Sequence, residues 1–535
     1  MGRQTEEMIF ITFLLLVPIF HSSKADKVIA HEKPCHQKTV VFAFSGLRWD
    51  VEKLASMRSL ERMKTHGVWA KHKINAFQTE SLPSFMTMST GRYPNEHGIM
   101  SNKMRNVKGD HFDVKTTSTK WYGEDLEPIW LRNQNQNGSS ALCYWPGYGV
   151  DGLKPDYSCH GKNFVDPFKE LISNNEIVKE VMPFQQRVNL VKKWLTNTTT
   201  SAPSFIGVYF EEPYKSMIAS GIHSNETKHA LKKIDSFITH MLDWLKAKKL
   251  NEKVNFVVTG ESGATEIAAH KEIFLSDLLE NDSNSKYKNK FEVLSKSPIM
   301  SIYPKDKTVE KALLHTWKKN KQMTVLAAND IPHNFHYKHK TRNAPITLVA
   351  KEHWRIYKNR IVDSKRALMG FDGKFESSHA MFLAQGPAFK ENTVIPAIGN
   401  VDVYAILCRS MGISPGAHSG NITNVEKLMR PPERWYEKVV KKIVKKITES
   451  PKNFIIAVVI TVLLFFGATF LIITTVYKAC GCCRIPMKVK VPASKKLIMM
   501  KKRKKDGDEH LLSEKELSDS DLSSSDEFYF TNQGR

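Results

Sequence analysis

A run of 24 residues without one charge, Phe454–Tyr477 (FIIAVVITVLLFFGATFLIITTVY), constrains this chain more than any other feature. At about 1.5 Å per helical residue it reaches about 36 Å, enough to cross a hydrocarbon core of about 30 Å with some tilt. A second apolar run, Met8–Phe20, has only 13 residues, follows Arg3 and leads into the small and polar HSSKA ending at Ala25. That is the pattern of a cleaved secretory signal, too short to span a bilayer. Together the two runs predict a type I single-pass membrane protein: signal peptide 1–25, an external segment to residue 453, a transmembrane helix 454–477 and a cytoplasmic tail 478–535. Flanking charge does not decide the orientation, because residues 478–505 hold 11 Lys or Arg and residues 434–453 hold seven. The signal decides it, since long domains translocate largely regardless of charge. The expected location is the cell membrane or another secretory membrane, with the ectodomain outside the cytosol.

Cysteine usage agrees with that topology. Cys35, Cys143, Cys159 and Cys408 fall in the external segment, where disulfides persist, and four cysteines allow three pairings. The shortest loop favours Cys143–Cys159, which leaves Cys35–Cys408 to tie the ends of the domain; buried free thiols are the alternative. Cys480, Cys482 and Cys483, just past the span, are palmitoylation candidates. Sequons at Asn137, Asn197, Asn225, Asn281 and Asn421 predict a glycosylated outer surface.

With 41% hydrophobic and 25% charged residues, the chain is neither disordered nor fibrous, and no fixed repeat points to a solenoid or propeller. Short apolar runs, Val40–Phe44, Phe205–Phe210, Val254–Val258 and Met300–Tyr303, alternate with helically spaced stretches such as Arg187–Leu195 and Lys228–Leu245. This predicts an α/β ectodomain, residues 26–430, with a mostly parallel central sheet flanked by helices on both faces. Beyond Pro431 and Pro432, residues 431–453 form a basic juxtamembrane stalk; Val440, Ile443, Val444 and Ile447 share a helical face that fits either a membrane surface or a solvated stalk. The net charge of +24 is mainly external, because the tail balances 13 basic against 9 acidic residues. A basic outer face suits an anionic ligand or an extracellular protein partner. No nucleic-acid-binding motif is present.

In an α/β sheet, chemistry gathers at the carboxyl ends of strands. Here those ends read FSG at Ser45, FEEPYKSMI at Glu211–Ile218, and TGESG at Glu261 and Ser262, while Ser81 in TESLPS could open a helix as a nucleophile. Together with TGRYPNEHGI, GPAFK and NVDVY, these blocks resemble, in order and spacing, the ectonucleotide pyrophosphatase/phosphodiesterase family of the alkaline-phosphatase superfamily, over about residues 37 to 425. The resemblance implies two zinc ions that clamp a phosphoryl group and a threonine nucleophile. It maps the nucleophile to Ser81, the phosphoryl-binding Asn to Ser84 and the base-stacking aromatic to Leu82. It maps the six Asp and His ligands to Ser45, Tyr214, Ile218, Glu261, Ser262 and Met369, so that only Glu261 remains a carboxylate.

Zinc sites need deprotonated N, O or S donors, and isoleucine has none, while a thioether is a poor stand-in for imidazole. The expectation is therefore no metal, no cofactor and a catalytically inactive pseudo-phosphodiesterase that works by binding. His223 and His379 are the nearest residues that could rebuild a metal site, and Lys215 could supply a cation in its place; His97 is expected to be structural. The alternatives are a nucleotide or phosphodiester hydrolase with an altered metal site, and an adhesion or receptor module.

Overall fold

Lys38–Phe44 (β1, KTVVFAF) is apolar without alternation because both of its faces are covered, and Val40 to Phe44 are fully buried at the middle of the main sheet. The computed structural model of the protein describes residues 37–431, apart from 124, 160–180, 200–201, 281–284, 296 and 361, together with 463, 466–467 and 469–471. The signal peptide, Cys35, Asn281, the stalk from residue 432, most of the apolar run 454–477 and the tail with Cys480, Cys482 and Cys483 lie outside the described residues. Among the described residues no helix is long and apolar enough to cross a membrane.

The main sheet has eight strands. After β1 come β2 (Val68–Ile74), β3 (Ser140–Cys143), β4 (Tyr157–Ser158), β5 (Phe205–Phe210), β6 (Val254–Gly260), β7 (Ala380–Gln385) and β8 (Thr393–Gly399). Their order across the sheet is β8-β2-β7-β6-β1-β5-β3-β4. All neighbours are parallel except β7, which runs antiparallel to β2 and to β6. The sheet is thus mixed, though mostly parallel.

Two sets of helices cover it. Arg58–His66 (α1), Phe184–Thr196 (α4), Tyr214–Ser220 (α5) and Asn225–Ala247 (α6) pack among themselves on one face; Ser81–Thr90 (α2), Ile129–Asn135 (α3) and Asp402–Met411 (α7) do so on the other. Helix α6 shows why these segments are helical. Ser224 caps it by accepting from the Thr227 amide at 3.1 Å, and Leu231, Ile234, Ile238, Met241 and Leu245 bury one stripe.

A second sheet of four antiparallel strands, Phe291–Val293, Ile299–Pro304, Ile346–Ala350 and Met323–Ala327, has its own core around Ile302, Leu313, Trp317 and Leu348. Met300–Tyr303 belongs here rather than to the main sheet. An apolar run marks a buried strand but carries no information about its partner or direction.

Cys143 and Cys159 form the expected disulfide, from the end of β3 to just past β4. The expected Cys35–Cys408 bridge falls outside the described residues, since Cys35 is not among them; Cys408 has no disulfide partner among the described residues and is fully buried on α7. Burial pushes its titration up to about 12, so it packs as a small apolar group.

Gly207 in β5 sets a packing limit. A Cβ there would stand 2.9 Å from both Leu142 Cδ2 and Trp145 Cε3. Gly207→Ala is expected to lower unfolding stability by about 1–3 kcal/mol through overpacking, read as a reduced urea midpoint with unchanged slope.

Candidate functional site

Two strand ends and one helix start converge at the carboxyl edge of the main sheet. Ser45 follows β1, Glu261 follows β6, and Ser81 is the first residue of α2, whose ten residues are all buried. Ser45 donates to Glu261 Oε1 at 2.7 Å, Ser81 donates to the same oxygen at 3.3 Å, and the Gly46 amide donates to Oε2 at 3.3 Å. None of the three side chains is more than 1% exposed.

Beneath them lies a buried cation that the alternation in β2 conceals. Lys73 is fully buried and donates to the Glu261 carbonyl at 3.2 Å, to Asn400 Oδ1 at 2.7 Å and to Asn75 Oδ1 at 3.3 Å. Asn75 donates to the same Glu261 carbonyl at 2.8 Å, and Asn400 donates to the Ser84 carbonyl at 2.8 Å. The network joins β1, β2, β6, α2 and the turn after β8 through side chains that bond to one another and to backbone groups. Burial dominates both charges: it pushes the Glu261 carboxyl up to about 7 and the Lys73 ammonium down to about 7. The Ser45 and Gly46 hydrogen bonds and the Lys73 charge pull Glu261 the other way.

The remaining predicted positions form an apolar plug. Tyr214 and Met369 belong to a cluster with Met217, Ile222, Ala264 and Ala367, and Ile218 packs against it. The Tyr214 hydroxyl accepts from the Met369 amide at 3.1 Å, and burial raises its titration further. Ser262 donates to the Gly263 carbonyl at 2.9 Å. Of the six positions, the structure thus brings Ser45 and Glu261 together with Ser81, sets Tyr214, Ile218 and Met369 into packing, and turns Ser262 to its own backbone. Among the described residues, no group of three His, Cys, Asp or Glu converges closely enough to hold a metal ion.

Lys215 is exposed on α5, so the cation at the centre is Lys73. His223 is solvent-facing, 3.7 Å from Glu266, and His379 bonds to His72 at 3.1 Å and to the Gly373 carbonyl at 3.0 Å. Neither hydrogen-bonds to Glu261. His97 is structural, as its sequence context suggested: Ile99 donates to its Nδ1 at 3.1 Å, Thr87 lies 3.1 Å from Nε2, and burial lowers its titration to about 3.

Access to the centre is closed. A cavity beside Leu82, against Tyr122 and Tyr148, measures about 20 Å³, room for about one water molecule. Two open grooves flank it. One of about 570 Å³ is lined by Arg48, Trp49, Lys53, His223, Glu266 and Lys374. The other, about 480 Å³, is lined by Phe77, Tyr93, Phe335, His336, Lys374 and Asn400.

A mostly parallel sheet with a helix-opening hydroxyl and a carboxylate at its strand ends is the arrangement of an alkaline-phosphatase-superfamily domain. Residues 39–374 match the family model described as type I phosphodiesterase / nucleotide pyrophosphatase, and the chain belongs to that family. Among its relatives, human ectonucleotide pyrophosphatase/phosphodiesterase family member 5 is 28% identical over 407 residues, covering 74% of this chain and 79% of the relative. The bis(5'-adenosyl)-triphosphatase enpp4 of Xenopus laevis is 30% identical over 396 residues, covering 73% and 81%. The solved structure of murine family member 5, inactive through a threonine-to-alanine substitution and in complex with AMP, superposes with a TM-score of 0.65 at 27% identity, covering 74% of this chain and all of that one.

The buried carboxyl gives stability a pH signature. Between about 4.5 and about 7 the fold holds a proton on Glu261 that the unfolded chain releases, so ionisation of this group lowers stability as pH rises through that window. Lys73 acts in the opposite sense: between about 7 and 10.5 the unfolded chain holds the extra proton, and stability recovers as pH rises. Urea midpoints at pH 5 and pH 7.5 are expected to differ less in Glu261→Gln than in the wild type. An equal difference in both proteins counts against a buried, titrating Glu261.

Proposed function

We propose that this chain is a cell-surface glycoprotein whose phosphodiesterase-fold ectodomain is catalytically inactive and acts by holding a ligand or partner. The observation that carries the proposal is the plug: Ile218, Met369 and Tyr214 pack in an apolar cluster where paired metal ions would need deprotonated donors. Isoleucine has no donor atom, the methionine thioether is soft and weak, and the two serines are neutral hydroxyls, so the residues present do not fit a two-zinc site. Ser81 keeps a nucleophile's hydroxyl 3.3 Å from a carboxylate. It lacks a metal charge to activate it, groups to hold the developing negative charge, and a path for substrate.

The murine relative is described in complex with AMP; a nucleotide has no room beside Leu82 in this chain. The flanking grooves are the better ligand sites, and the one that carries Arg48, Lys53 and Lys374 also carries Asp50, Glu266, Glu352 and Glu376, so its lining suits a polar ligand of mixed charge rather than a simple anion. The signal peptide, the apolar run Phe454–Tyr477, and sequons that include the exposed Asn137, Asn225 and Asn421 support the outer-surface placement. The cysteines past that run fit palmitoylation at the inner leaflet.

Turnover of a p-nitrophenyl nucleotide ester by the full chain tests this. The expected rate equals that of Ser81→Ala, with no effect of a chelator. Chelator-sensitive turnover that disappears in Ser81→Ala establishes a hydrolase with a rearranged metal site instead. Capture of an extracellular protein by the ectodomain, unchanged by substitutions in either groove, identifies an adhesion or receptor module.

A further inference from the structure

A groove of about 650 Å³ lies at the edge of the main sheet opposite to Ser45 and Glu261. Its wall comes from the chain just before the parallel strands begin. Lys38 opens β1, Ser139 precedes β3, Ser204 precedes β5, and Lys248 and Leu250 lead into β6. Two sequon asparagines line it from opposite sides, Asn137 after α3 and Asn197 at the C-terminal end of α4. They are 60 residues apart in sequence, and parallel strand order alone brings them to one groove.

The lining has a consistent chemistry. Ser139 and Thr198 offer hydroxyls, Lys38 and Lys248 offer ammonium donors, Leu195 and Leu250 give apolar surface, and no carboxylate is present. Donors and acceptors beside an aliphatic floor suit a neutral polyol with amide groups. Lys38 already donates to the Leu195 carbonyl at 3.1 Å, and Thr199 donates its amide to Asn197 Oδ1 at 3.1 Å, so the walls are pre-set. By contrast, Asn225 at the start of α6 and Asn421 before Ile422–Leu428 line none of the grooves described above.

We propose that this groove is the seat of the protein's own N-linked sugars: the core residues attached at Asn137 and Asn197 lie in it and are sheltered by it. In the attachment step, Nδ2 of the asparagine bonds to C1 of an N-acetylhexosamine. The bond from C1 to the pyrophosphate oxygen of a lipid-linked donor breaks, the lipid pyrophosphate leaves, and the amide gives up one proton. The inference rests on the outer-surface placement proposed above. It places the sugars at the edge opposite the strand-end grooves, which leaves those grooves open to a ligand.

The test uses the full chain expressed in a secretory host, digested with a peptide N-glycosidase while folded and after denaturation, with release followed site by site by mass spectrometry. Folded, Asn225 and Asn421 are expected to be released at least about ten-fold faster than Asn137 and Asn197; denatured, all four are released at one rate. Lys248→Trp, at an exposed lining position, is expected to fill the groove and speed release at Asn137 and Asn197 in the folded protein. Equal rates at all four sites in the folded protein overturn the proposal, as does the absence of sugar at Asn137 and Asn197 alone. Absence at every sequon overturns the outer-surface placement as well.

Discussion

The sealed carboxyl of Glu261 is the interaction on which the rest of this domain's centre depends. An ionised group taken out of water costs several kcal/mol unless hydrogen bonds and countercharge compensate. Here the two carboxylate oxygens take donors from Ser45, Ser81 and Gly46, while the carbonyl of the same residue takes Lys73 and Asn75. Because those partners come from different strands and from α2, satisfying one side chain fixes the relative heights of β1, β2 and β6 and the entry of the helix. Removing the Ser45 or Ser81 hydroxyl leaves the buried carboxyl short of a donor, which costs more than the lost bond.

The same arrangement underlies the proposed loss of the family's reaction. In a two-metal site the metal ions supply the charge that holds acidic strand ends together. At this centre the buried Glu261 carboxyl and the buried Lys73 ammonium meet, and Tyr214, Ile218 and Met369 pack together in an apolar cluster. A polar seam and an apolar plug, both well packed, replace a solvated cleft. The open grooves described above are beside the centre and at the far edge of the sheet.

Much of this was legible in the sequence, for identifiable reasons. Strands covered on both faces announce themselves as unbroken apolar runs, as in Val40–Phe44 and Phe205–Phe210, and the strand-end rule then puts Ser45 and Glu261 at one edge. The spacing of TESLPS opens a buried helix at Ser81. Other features were hidden. Lys73 stands in VWAKHKI, where lysines two residues apart imply one solvent-facing side, yet Lys71 is exposed and Lys73 is buried. Only the partners Asn75, Asn400 and Glu261, distant in sequence, make its burial tolerable. Lys215 sits beside the plug in sequence, but helical geometry turns it outward. Met300–Tyr303 has the composition of a main-sheet strand, and its pairing with Ile346–Ala350 is set by tertiary contacts that composition does not encode.

Zinc content of the full chain, purified without chelator and then dialysed against dilute zinc, tests most directly whether the strand-end centre has lost its metals. A sealed, plugged centre predicts well under one equivalent bound, and the same value in Ser45→Ala and Glu261→Gln. Two equivalents that fall when either residue is changed would contradict it.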